Sequence, residues 1–86
     1  MASVEEVRAG IAQANEQAKQ SFAALQQAVS TLEQAQGALT AVTQGSAQSE
    51  AEDANRMFAE AIRSIGEAQQ SVNAGISTAE SYAGRL

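Results

Sequence analysis

The side chains able to do chemistry in this chain are ten carboxylates, five cations and a scatter of hydroxyls and amides; His, Cys and Trp are absent. Without His or Cys the usual ligands of zinc, iron–sulfur and haem centres are missing. Neither a Ser–His nor a Cys–His nucleophile pair can be assembled. The densest acidic group is Glu50, Glu52 and Asp53. It lacks the alternating ligands and turn glycine of a calcium loop, and carboxylates at a helix start complement the positive end of the helix dipole. Arg56, Glu60, Arg63 and Glu67 stand at i, i+3 and i+4 intervals, the spacing of surface ion pairs worth about 0.2–0.5 kcal/mol each. No glycine-rich loop is present to cradle a phosphate. These residues predict a protein that is not an enzyme and that uses no cofactor and no metal.

Charge narrows the classes further. The net charge is −5, and the cations Arg8, Lys19, Arg56, Arg63 and Arg85 are dispersed. A nucleic-acid surface needs a basic stripe that displaces counterions, so no nucleic-acid partner is expected. A basic amphipathic membrane helix is disfavoured for the same reason. No apolar run approaches the roughly 20 residues of a membrane span. The acidic N-terminus does not read as a signal sequence, so a cytoplasmic location is expected.

The elements that would carry these side chains follow from the apolar rhythm. Of 86 residues, 20 are Ala and 11 are Gln, and none is Pro, a helix-forming composition. Apolar positions step by three and four through Val4, Val7, Ile11, Ala14, Ala18, Leu25, Ala28, Leu32, Ala35, Leu39 and Val42, with Ser21 the one polar member. They repeat through Ala51, Ala54, Phe58, Ala61, Ile65, Ala68, Val72, Gly75, Ala79, Tyr82 and Leu86. A sustained 3.5-residue repeat marks helices packed along a seam. Ser3-Val4-Glu5-Glu6 and Ser49-Glu50-Ala51-Glu52 read as capping boxes, with Ser46 a second candidate cap. Gly45 is placed to end the first helix in a left-handed conformation. The expectation is a single all-α domain: helix 3–44, a turn at 45–46 and helix 47–84, forming an antiparallel hairpin that pairs into a four-helix bundle. Gly10, Gly37 and Gly66 interrupt the helices without an evident role beyond local bending.

Folding the chain at Gly45 matches residues whose numbers sum to 93. Large side chains then meet small ones, as in Leu39 with Ala54, Leu32 with Ala61, Ala28 with Ile65 and Leu25 with Ala68, which is how a seam fills without voids. Four bulky residues are left beside this seam: Phe22, Val29, Ile62 and Ile76. They are the expected partner-binding residues, because contiguous exposed apolar patches mark interaction sites. The alternative is that they fold over the seam edge and complete the hairpin.

The layout resembles the Trp-X-Gly family, small helical-hairpin substrates and partners of type VII secretion. Thr43-Gln44-Gly45 keeps the turn glycine of that family with Thr43 in place of Trp. Tyr82 matches its C-terminal tyrosine, and Leu86 stands where the family carries an acid. The opening Ser3-Val4-Glu5-Glu6-Val7-Arg8 and the ending Ala79-Glu80-Ser81-Tyr82-Ala83-Gly84-Arg85-Leu86 are also similar to short actinobacterial proteins whose layout is that of helical adaptors of toxins. The resemblance implies dimers, export by a signal-peptide-independent route, and a non-enzymatic adaptor that partners a helical segment of a larger effector or toxin. The rival expectation is a self-assembling homo-oligomer with no client.

Overall fold

The computed structural model describes residues 2–45 and 49–86. Two helices, α1 (Val4–Thr43) and α2 (Ser49–Gly84), pack against each other. Bonds from Asn15 to Ile76 and from Gln36 to Asn55 make the pair an antiparallel hairpin. No strand occurs among the described residues.

Local chemistry sets the ends. Ser3 is extended, and its hydroxyl accepts from the Glu6 amide at 3.1 Å. Glu5 and Glu6 occupy the first turn, at the favourable end of the dipole. At the other end Gln44 leaves helical geometry and Gly45 takes φ +82°. That left-handed conformation costs an L-residue with a side chain roughly 1–2 kcal/mol and glycine almost nothing. Just before it, the Thr43 hydroxyl donates to the Leu39 carbonyl at 2.7 Å. Ser49 is already helical where the description of α2 begins, so it is not the residue that caps that helix. The expected cap at Ser46, and a start at residue 47, lie outside the described residues.

The hairpin measures 64 × 17 × 14 Å, with a radius of gyration of 19.4 Å. A compact chain of this length would have one of roughly 12 Å. A rod this thin has little interior, and only Asn15 and Ile76 are buried among the described residues. The seam is therefore traced by half-buried positions. In α1 these are 11, 18, 25, 32 and 39 together with 15, 22, 29, 36 and 43. In α2 they are 51, 58, 65, 72 and 79 together with 55, 62, 69, 76 and 83.

This seam corrects the one expected from sequence. One line of each helix is as anticipated; the other is displaced by one residue. Ala14, Ser21 and Val42 are exposed, as are Ala61, Ala68, Gly75 and Tyr82. The residue that follows each of them is shielded instead. Ala28, Ala35 and Ala54 are half-buried at the margin. The expected layer of Leu32 against an enclosed Ala61 does not form, since Ala61 faces solvent. The reason is volume. Rotating each helix by part of a turn trades small side chains for Phe22, Val29, Ile62 and Ile76, and apolar burial is worth about 25 cal/mol per Å². The axial level survives the rotation. Cross-helix hydrogen bonds join residues whose numbers add to 91 (Asn15 to Ile76, Gln36 to Asn55) or 95 (Gln26 to Gln69, Thr40 to Asn55), bracketing 93.

Candidate interaction face

Each helix presents two flanks beside the seam, and they differ in chemistry. A shallow groove near the open end is lined by Arg8, Asn15, Glu16, Lys19 and Glu80, among others. It brings Lys19 of α1 and Glu80 of α2 to one side of the hairpin. That polar flank continues through positions 26, 33 and 40 of α1 and 52, 59, 66 and 73 of α2, including Glu33 and Glu52. The Gln69 amide donates to the Gln26 carbonyl oxygen at 3.0 Å, and the Asn55 amide to the Thr40 hydroxyl at 3.0 Å, both toward this side.

The opposite flank is uncharged through its middle. On α1 it comprises positions 14, 21, 28, 35 and 42, with 10, 17, 24, 31 and 38 one row further out. On α2 it comprises 54, 61, 68, 75 and 82, with 57, 64, 71 and 78 outside them, a row that begins at Glu50 and ends at Arg85. Apart from those two ends, every one of these residues is uncharged, and most are Ala, Ser, Gly or Thr. Five large apolar residues are exposed among those described, and three lie here: Val42 at 80%, Met57 at 71% and Tyr82 at 47%. Small residues allow a second helix to approach near the low end of the usual 8–10 Å spacing. Val42 and Met57 stand toward the turn and Tyr82 toward the open end, so the bulky groups bracket a flat centre.

The four residues expected to bind a partner are placed elsewhere. Ile76 is buried at 9% exposure, and Phe22, Val29 and Ile62 are half-buried in the seam. The structure brings them together as the material that joins the two arms, which is the other alternative the sequence left open. The uncharged flank was legible as a run of positions without Asp, Glu, Lys or Arg. Its inner row reads as seam when Ala is given the same weight as Ile and Phe.

Two arginines of α2 have local partners. Arg56 pairs with Asp53, and Arg63 pairs with Glu60 and, at 3.1 Å, with Glu67. The Arg56–Asp53 pair replaces the expected pairing of Arg56 with Glu60. All these side chains are more than half exposed, and such pairs contribute little to stability. Among the described residues no three acidic side chains come together in a way that could hold a metal, and no helix is long and apolar enough to cross a membrane. Compared with family models, curated proteins and solved structures, the chain matches none.

Proposed function

We propose that this chain is a non-enzymatic helical interaction module, a type VII secretion-like adaptor that pairs through its uncharged flank with a helical element of a larger effector. The product would be a four-helix arrangement of the helix-in-groove kind, in which apolar burial supplies affinity and spacing along the helix supplies register. One observation carries the reading. Val42 and Tyr82 are exposed on a flank whose middle carries no charge, and Met57 is exposed at its outer edge beside Asp53, Arg56 and Glu60. Along a hairpin 64 Å long, a contact strip only about 12 Å wide reaches the ~800 Å² per partner of a standard stable interface.

The second reading is self-assembly without a client, and the charge distribution favours it. Two copies of a chain of net charge −5 can meet on the middle rows of this flank, where no carboxylate stands.

Both readings predict that the endogenous chain, in a gently prepared extract of its source cells, sediments with a mass well above one hairpin. A single-hairpin mass would reject both. The composition of the complex then separates them: a second, larger polypeptide supports the adaptor, and hairpin alone supports self-assembly. Placing Ala61→Glu and Ala68→Glu together on the flank should release the partner in either case, with helicity unchanged because both positions are exposed.

A further inference from the structure

The flank opposite the polar one is built differently at its ends and in its middle. Val42 and Tyr82, the bulky exposed residues of its inner rows, stand near opposite ends of the rod. Between them the inner rows hold only Ala, Ser and Gly. Two crossing rods are closest where they cross and part toward both ends. Small residues in the middle and large ones at either end therefore suit a partner that crosses at mid-length.

Charge is also uneven along the rod. Toward the turn, six carboxylates are balanced only by Arg56 and Arg63; toward the open end, four carboxylates stand with Arg8, Lys19 and Arg85. Two copies laid turn on turn would bring the two acidic halves together. Laid end for end, each acidic half meets the nearly neutral half of the other, and like-charge opposition of the first kind selects against the wrong orientation.

End-for-end pairing brings both helices into step at once. The cross-helix hydrogen bonds put Ala24 of α1 and Ala68 of α2 at nearly one level, close to mid-rod. A two-fold axis there sets α1 on α1 and α2 on α2, each antiparallel. Ala68 then meets Ala68 of the copy, Ala61 meets its Gly75 and Ala54 its Tyr82, while on α1 Ala24 meets Ala24. The outer row of α2 follows the same axis, so Glu50 comes level with Arg85 of the copy and the charged corners of the flank meet as opposites.

We infer that the occupant of this flank is a second copy of the chain, laid end for end about a two-fold axis near Ala24 and Ala68. The inference rests on the self-assembly reading and adds its orientation.

The chain has no cysteine, so variants with one cysteine each, at the exposed positions Ser21, Ala61, Ala68 and Gly75, report which residues meet between copies. A disulfide forms readily only where the two Cα atoms come within about 7 Å. Under mild oxidation, at a concentration where the chain associates, Ala68→Cys should link to itself. Ala61→Cys should link to Gly75→Cys about ten-fold faster than to itself, since two Ala61 positions would lie on the order of 20 Å apart. Linkage of Ser21→Cys to Gly75→Cys instead marks copies laid turn on turn; it overturns the inference and leaves self-assembly standing. Linkage of every pair at one rate, or of none in an associated chain, overturns it too. Sedimentation of the unmodified chain separates the other failure: a single-hairpin mass up to millimolar concentration removes self-assembly itself, and the inference with it.

Discussion

At the scale of single residues, the displaced seam reverses what two substitutions should do. Ile76 is shielded and Ala61 is not. Ile76→Ala removes buried apolar volume and leaves a gap between two narrow arms. It should cost about 2 kcal/mol, the lower end for such truncations because a thin rod can partly close the gap. Ala61→Leu adds its side chain to open space and should move stability by no more than about 0.5 kcal/mol. Thermal unfolding of the two variants checks both values at once. Had Ala61 been enclosed opposite Leu32, the order of harm would be far closer. Gly45 is a different case, because its role is conformational. At φ +82°, Gly45→Ala forces a side chain into left-handed geometry and should destabilise the hairpin by about 1–2 kcal/mol.

At the scale of the elements, the hairpin was legible and its facing was not. A heptad rhythm on both sides of one glycine is enough to specify two helices and a reversal between them, because few other arrangements bury such a stripe. The facing depended on two apolar lines lying side by side, one rich in Ala and the other carrying Phe22, Val29, Ile62 and Ile76. A binary apolar count sees them as equals, whereas burial energy follows area. The polar members Gln36, Asn55 and Gln69 hid the true line further, since each breaks an apolar pattern that the bulky residues otherwise complete. The same point predicts the outcome of Phe22→Glu with Ile62→Glu. These charges fall within the joint between the helices and not on a free surface. They should part the arms and cost much of the helical circular dichroism, because long helices in water draw most of their stability from packing. Retained helicity with only a change in mass would return those residues to a docking role. Gly37 and Gly66 offer a gain. A β-carbon at either meets nothing within 4 Å, so Gly37→Ala and Gly66→Ala should each stabilise the fold by about 0.5–1 kcal/mol through helix propensity and reduced freedom of the unfolded chain.

At the scale of the whole molecule, the hairpin is long, thin and poor in interior, and its charges are arranged unequally around it. Carboxylates and cations occupy the polar flank and the outer faces, while the opposite flank, uncharged through its middle, carries Val42 and Tyr82, with Met57 at its charged margin. Two copies meeting on that flank keep their charged faces turned outward, with solvent and salt between them, so association should depend only weakly on ionic strength. Pairing would stabilise the folded state by mass action, since only the folded hairpin presents the flank. The melting temperature of the purified chain should therefore climb as its concentration is raised from micromolar toward millimolar. Met57→Glu with Ala68→Glu should leave the melting temperature of the dilute protein nearly unchanged, because both side chains are exposed, and should remove its dependence on concentration. A wild-type melting temperature that stays flat over that range would exclude pairing of identical copies. The flank would then have to find its cover on a different polypeptide, and the same double substitution becomes the probe of that contact.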